Sequence, residues 1–456
     1  MKPTHLPTFL ICLVLLNVAG VRAQNPQSSS ATGATATPVI TVDEAVSLAL
    51  ANNRLIKNAM LEADKYDFRI SSIKSRRLPE FQISALQSEL LHPIDFTFQR
   101  GVFGVFPGIG PVPATNTNIR TPARLNTLAM AAMNQPLTQQ YKIGLGIRAQ
   151  ELARDVAREE LRAQRQRVAN QVRAAYYDLV ATSAGLEAAR HSVKTLQEVK
   201  RVTTQYEAEQ AVLKADVLQV QARLAKQEYQ LVVAENGMKT QSEHMNQLLG
   251  RDLATEFRFA GIPEESDREL SLESARQQAA DNRPELRQAN LKKRLAEYDR
   301  RIAKADYIPN VSLTVRYLGI RSIEVLPGNA GAAGLYFSWE PFDWGRRRNA
   351  IAEKSKTVEQ AANGIREIES QIAVEVGMRF RKWSEAVAKV KANRAAKDAA
   401  GEQLRVVTNK FKEQAALVKD VLQAEAQSAD AGFQYQQALS EYWSALADLR
   451  KAMGEE

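Results

Sequence analysis

The chain has 456 residues, 45% hydrophobic and 25% charged, with a single cysteine and a formal charge of +9. That length fits two or three ordinary domains, or one elongated body whose halves share an architecture. One cysteine excludes a disulfide framework, and basic residues interspersed along helical stretches read as a solvated surface and argue against a nucleic-acid partner.

Lys2 opens a short basic region, Leu6 to Val21 is mostly apolar, and Val21-Arg22-Ala23 is a small-x-small cleavage signal before Gln24. Residues 1–23 are therefore expected to be a secretory signal peptide. Cys12 follows Leu10 and Ile11, where a lipoprotein signal needs a small residue, so no lipid anchor is expected. Losing Lys2 and Arg22 takes the charge from +9 to +7. Residues 24–40 read as a polar, flexible lead-in. No later segment reaches the roughly 18 consecutive apolar residues of a membrane-spanning helix, so membrane contact would have to be made by strands.

Thr41 and Glu44 form a capping-box start, followed by the helix-period positions Ala45, Leu48, Ala49, Leu55, Ile56 and Ala59, which predicts a helix over 41–78. After Pro79 the period changes to that of strands, predicting a β-hairpin over 80–136 around a Gly- and Pro-rich loop. A helical hairpin over 137–249 follows. A shift of 230 carries Ala45, Ala49, Asn52 and Pro79 onto Ala275, Ala279, Asn282 and Pro309. The second copy then predicts a helix over 271–307, a β-hairpin over 310–341 and a helical hairpin over 343–454. In its first strand Val311, Leu313, Val315 and Tyr317 share one face while Ser312, Thr314 and Arg316 share the other.

The repeat is sharpest in the helical hairpins. "EQAVLKADVLQVQA" at 209–222 returns as "EQAALVKDVLQAEA" at 413–426, a shift of 204 that also pairs Gly250 with Gly454. The two structural repeats thus run over 41–250 and 271–456, joined by residues 251–270. Val172, Leu179, Leu186 and Val193 are spaced by seven, as are Val217, Leu224, Leu231, Met238 and Met245, and Ala424, Ala431, Ala438, Ala445 and Ala452. Small residues at every seventh position imply close helix–helix approach. A single helix over 137–249 would be about 170 Å long, which favours a turn near the middle, in the zone of the duplicated segment.

"TVDEAVSLALANN" at the start, the strand-closing "QPL" at 135–137 and "EPFDWGRRR" at 340–348, and the two "DVLQ" segments recur in matched order. On these the mature chain resembles the TolC-type outer-membrane efflux protein family. The resemblance implies a mainly α fold with β: a homotrimer whose chains contribute four strands each to a 12-strand outer-membrane β-barrel, continued by a periplasmic α-helical barrel. It implies a passive exit conduit, most simply for small molecules, working with a periplasmic adaptor (membrane fusion) protein and an inner-membrane pump of RND or ABC type. It also implies that 251–270 belong to a belt around the tunnel. The strands independently require closure, because four strands in lipid leave unpaired edges. A periplasmic coiled-coil adaptor or scaffold without a pore would explain the heptads but not the matched strands.

Carried over by position, the periplasmic tips and adaptor contact fall on Gln210, Ala211, Val212, Leu213 and Asp216, and on Gln414, Ala415, Ala416, Leu417 and Asp420. Both copies lack the family's usual turn glycine and hydroxyl cap. Asp216 and Asp420 have two readings, an entrance carboxylate ring or first-turn acids favoured by a helix N-terminus. Tyr336, Trp339, Phe342 and Trp344 are expected in an interfacial aromatic girdle. Arg346, Arg347 and Arg348 would either contact phosphates of outer-membrane lipids or form a basic collar without a specific partner. "GVFGVFPGIGP" lacks a following Lys-Ser or Lys-Thr and reads as an external loop, not a phosphate loop. His92, His191 and His244 lack metal-ligand spacing, and no nucleophile motif occurs, so neither an enzyme nor a cofactor is expected.

Overall fold

The computed structural model describes residues 39–89, 91–121, 125–261, 270–321, 328–413 and 415–455. The expected signal peptide, the lead-in up to residue 38, residues 262–269 of the inter-repeat segment and the tip residue Gln414 lie outside the described residues.

The first repeat comprises β1 (Val39–Ile40), α1 (Val42–Asn52), α2 (Arg54–Ser75), β2 (Glu80–Glu89), β3 (Ile94–Phe98), β4 (Val105–Phe106), β5 (Gly110–Pro111), β6 (Thr117–Thr121), β7 (Leu125–Pro136), α3 (Gln139–Ala208) and α4 (Lys214–Leu249). After β8 (Arg258–Phe259), the second comprises α5 (Leu272–Asn282), α6 (Pro284–Ala305), β9 (Asn310–Arg321), β10 (Asn329–Ser338), α7 (Arg346–Lys412) and α8 (Val418–Ala452). Equivalent helices match closely in length: 11 and 11 residues for α1 and α5, 22 and 22 for α2 and α6, 70 and 67 for α3 and α7, 36 and 35 for α4 and α8.

Several expected boundaries need correction. The single helix over 41–78 is two helices, because Asn53 leaves the helical region at φ −59°, ψ 131°. Its Oδ1 accepts from the Leu55 N–H at 2.9 Å, and its Nδ2 donates to the Leu248 carbonyl at 2.9 Å, so it caps α2 and ties it to the end of α4. The helix over 271–307 breaks likewise at Arg283 (φ −65°, ψ 123°), where the following Pro284 disfavours the helical region. The first β-hairpin carries an added module, β3 paired with β6 and β4 with β5, inside its long loop. In the second, β10 ends at Ser338 and not at 341.

β10, β9, β7 and β2 form one antiparallel sheet in that order. Its register gives it two unlike faces. Rungs such as Phe81–Met133–Val315 and Ile83–Ala131–Tyr317 make one apolar, and Phe81 and Ile83 on it are 73% and 85% exposed. Glu80–Asn134–Thr314 and Gln82–Ala132–Arg316 make the other polar. Among the described residues β2 pairs only with β7 and β10 only with β9, so both edges of the sheet are open.

Below the sheet the helices form a wall. α3, about 105 Å long at 1.5 Å per residue, packs against α2 and then α4 on one side. It packs against α6 and then α8 on the other, and these in turn pack against α7. The expected heptad rows face these contacts: Val172, Leu179, Val421, Ala438, Tyr442 and Leu449 are almost wholly buried. At mid-height, β1 pairs in parallel with β8 of the inter-repeat segment. The Tyr176 hydroxyl lies 3.0 and 2.8 Å from the Ile40 and Ala260 carbonyl oxygens beneath them.

Candidate functional site: hairpin tips and the membrane-facing sheet

α3 ends at Ala208 with Glu209 as its C-cap, and the chain reverses through Gln210 at φ 59°. The Ala211 N–H donates back to the Tyr206 carbonyl at 2.8 Å and the Gln210 N–H to the Glu207 carbonyl at 2.9 Å, a turn usually built around glycine. The second tip repeats the first of these bonds, Ala415 N–H to the Lys410 carbonyl at 2.8 Å. The helix therefore breaks between Gln210 and Asp216 without the glycine. Leu213 and Leu417 are the N-cap residues, and neither side chain has an oxygen to offer. Instead Asp216 and Asp420 reach back, each accepting the cap residue's own N–H, at 3.0 and 3.1 Å. This is the acidic half of a capping box, and it satisfies a donor that the missing hydroxyl cannot. Both carboxylates thus cap helices, and the other oxygen of each is left for other partners.

The two tips meet. Tyr206 packs edge-on against Phe411 with ring centres 5.8 Å apart, and its hydroxyl lies 3.3 Å from the Lys412 carbonyl. Val199, Val220, Val418 and Val421 complete a small core. Beneath it opens a cavity of about 430 Å³ lined by Gln210, Ala211, Val212, Leu213 and Asp216 from one tip and Ala416 and Leu417 from the other. Leu213 and Leu417 stand 71% and 63% exposed at its rim. Tyr206 and Phe411 escape sequence reasoning because a shift of 204 pairs them with Lys410 and Glu207, so the repeat gives no sign of them.

Buried Glu425, higher in the wall, was equally invisible, since its counterpart is Gln221. Its carboxylate accepts from the Ser192 hydroxyl of α3 and lies 3.4 Å from the Arg223 guanidinium of α4, linking the two hairpins.

At the other end of the wall, Trp339 is exposed beyond β10, and Phe342 and Trp344 pack edge-on at 4.8 Å and remain open. Tyr336 does not join them. It pairs with Ser312 and lies on the polar face, since strand alternation turns it away from Leu335 and Phe337. The arginine cluster is also divided. Arg347 donates to the Glu340 carbonyl at 2.6 Å and to its carboxylate at 2.9 Å, pairs with Asp343 at 3.4 Å and lies over the Tyr307 ring. Arg346 pairs with Glu340 at 2.5 Å, while Arg348 is exposed. Desolvation pushes the Asp343 carboxyl up, but hydrogen bonds from the Arg347 and Gly345 backbone and the charges of Arg347 and Arg346 hold it below its ordinary value. Arg347 thus ties the start of α7 to the segment that follows β10, and the cluster is not a uniform collar.

Among the described residues no helix is long and apolar enough to cross a membrane, and no group of three or more His, Cys, Asp or Glu could hold a metal.

A four-stranded open sheet, two-faced, mounted on paired long helical hairpins, is the fold of the outer-membrane efflux channels. A model of the outer membrane efflux protein family matches residues 275–455, the second repeat. The chain is similar in structure to the outer-membrane channel OprN, with a TM-score of 0.72 at 16% identity, covering 91% of this chain and 90% of that one. The outer membrane protein VceC of Vibrio cholerae gives a TM-score of 0.70 at 16% identity, covering 91% and 96%. The Campylobacter jejuni CmeC outer membrane channel gives 0.72 at 16% identity, covering 91% and 85%. No curated protein sequence matches the chain.

Proposed function

We propose that the chain forms a trimeric outer-membrane channel whose barrel and tunnel give a passive exit conduit across the outer membrane and periplasm. One observation carries this reading: the sheet exposes an apolar face and leaves both edges open. Unpaired strand edges are not tolerated in hydrocarbon, at several kcal/mol per backbone group, so β2 of one copy must pair with β10 of the next. Three copies close an even-numbered barrel of twelve strands. The open edges of the helical wall, α2 with α4 and α7, then meet in the same rotation. The low-identity likeness to outer-membrane channels supports the fold on which the argument stands.

In this reading the signal peptide sends the chain to the periplasm, and the barrel contacts outer-membrane lipids through Trp339, Phe342 and Trp344. Substrates, most simply small molecules, are handed over by an inner-membrane pump of RND or ABC type through a periplasmic adaptor protein. The adaptor contacts the tips, with Leu213 and Leu417 as apolar anchors beside the cavity and Asp216 and Asp420 at the entrance. Gln414, expected at that contact, lies outside the described residues.

Purification from detergent-solubilised outer membranes, followed by crosslinking and planar-bilayer recording, tests this. A trimer with ohmic conductance is expected. A soluble monomer without conductance overturns the reading.

A further inference from the structure

Closing the barrel turns the apolar face towards lipid and the polar face towards the lumen, so the register of the sheet assigns every strand side chain to one or the other. On the polar face of the described strands the ionised groups are two. Glu80 lies at the start of β2, and Arg316 lies in the middle of β9. The rung of Arg316 runs Gln82–Ala132–Arg316–Ala332, so the guanidinium has an alanine on each flanking strand and nothing bulky to cover it. It lines a cavity of about 380 Å³ with Gln82, Ser312, Thr314 and Tyr336, and Glu80 lines the same cavity. The next rung outward, Ser84–Met130–Leu318–Ala330, carries no charge, nor does Leu86–Leu128–Ile320 beyond it. Among the described residues of the four strands, Arg316 is thus the outermost charge on this face.

Arg316 has no ion-pair partner among the described residues. Glu80 is one rung below and two strands away, with backbones about 12 Å apart by strand geometry. A guanidinium without an ion-pair partner on the inner face of a barrel places a cation in the conduit. Some exposed arginines of the helical wall do find a carboxylate, as Arg201 does with Glu198 and Arg405 with Glu402, whereas Arg316 differs from the unpaired ones by its place on the inner face of the sheet.

We infer that Arg316 is a selectivity residue: three copies form a cationic ring inside the barrel that favours the passage of anionic solutes. This rests on the trimeric channel reading. Three charges on the order of 10 Å from the axis, one Debye length at 0.1 M salt, favour a small anion over a small cation roughly fivefold. At 1 M, with a Debye length of about 3 Å, the preference vanishes. The Glu80 row opposes the ring, so the change on substitution isolates the contribution of Arg316.

The test is the reversal potential of the purified trimer in a planar bilayer under a potassium chloride gradient. Arg316→Gln is expected to shift the chloride-to-potassium permeability ratio roughly fivefold towards potassium at 0.1 M, Arg316→Lys to leave it unchanged, and Glu80→Gln to move it the opposite way. The mature chain carries no cysteine, so Arg316→Cys provides a second probe in the assembled channel. A cationic thiol reagent should restore the wild-type ratio and an anionic one should move it further towards potassium. Conducting channels whose ratio ignores both Arg316→Gln and the charge of the reagent overturn this inference and leave the channel reading intact. Absence of conductance in the unsubstituted trimer overturns the channel reading itself.

Discussion

Gly250 stands against the backbone of Asn52: a Cβ on Gly250 would lie 2.6 Å from the Asn52 carbonyl oxygen, at a residue that already requires φ of 69°. The second repeat makes the same contact, where a Cβ on Gly454 (φ 84°) would lie 2.8 Å from the carbonyl carbon of Asn282. At these two places the residue that ends α4 or follows α8 lies against the end of a short helix, α1 or α5. Each glycine solves two problems at once, the left-handed turn and the close approach. Gly250→Ala and Gly454→Ala are each expected to cost about 2 kcal/mol or more, since a left-handed non-glycine residue alone costs about 1–2 kcal/mol and backbone cannot yield as a flexible side chain does. Denaturant unfolding of the purified protein measures it. A loss below half that value would mean that the junction relaxes freely.

Gln210 holds its turn in the left-handed region with an ordinary side chain. Gln210→Gly removes that strain and is expected to stabilise the tip by about 1 kcal/mol, whereas Gln210→Val should destabilise it. Hydrogen exchange at the Ala211 amide, bonded to the Tyr206 carbonyl, reports the tip directly. Slower exchange is expected in the glycine variant and faster exchange in the valine variant.

Asp216 and Asp420 cap their helices by accepting the N–H of Leu213 and Leu417. Replacing either by alanine is expected to cost about 1 kcal/mol, and replacing it by asparagine less, because the amide oxygen still accepts. Equal losses for the two substitutions in thermal unfolding would locate the benefit in charge near the helix N-terminus and not in the hydrogen bond.

The first helix carries a pH-sensitive cap. The Thr41 backbone N–H donates to the Glu44 carboxylate at 2.8 Å, and the Glu44 N–H donates to the Thr41 hydroxyl oxygen at 3.3 Å. The hydrogen bond from the Thr41 backbone, and then that from its hydroxyl, lower the Glu44 carboxyl from its usual 4.5. A carboxyl lowered in the folded state stabilises fully above its unfolded value and loses that contribution as pH falls through the folded value. Glu44→Gln should therefore weaken α1 at neutral pH, and the difference should shrink as pH falls below the usual carboxyl range and through the lowered folded value. Exchange at the α1 amides across that range checks it, and an equal effect at both ends would exclude the ionised cap.

Trp344, with 89% of its surface exposed, sits where the sheet meets the helical wall. In bilayers containing lipids brominated near the headgroup, Trp344→Phe is expected to reduce the quenching of tryptophan fluorescence, as is Trp339→Phe, while Trp443→Phe in the helical core should not. Quenching unaltered by the first two substitutions would remove them from the membrane interface.

The two repeats, the strand alternation around Val311 to Tyr317 and the heptad rows were legible because each is a periodic signal. A residue three, four or seven places on meets the same neighbour, and a residue two places on meets the same face. The turn at 209–213 was legible because its sequence occurs twice, although its conformation was not, since glutamine gives no sign that it will adopt a left-handed φ. Tertiary structure alone decided what depends on groups distant in the chain. It broke the first helix at Asn53, whose amide finds Leu248 at the far end of the hairpin. It took Arg347 out of the basic cluster by surrounding it with Glu340, Asp343 and Tyr307, and it buried Glu425 where the other repeat has glutamine. It also set the rungs that turn Tyr336 and Arg316 to the same polar face across two strands. Period is written locally in a chain, whereas the partner of a charge is chosen by whichever element folding brings beside it.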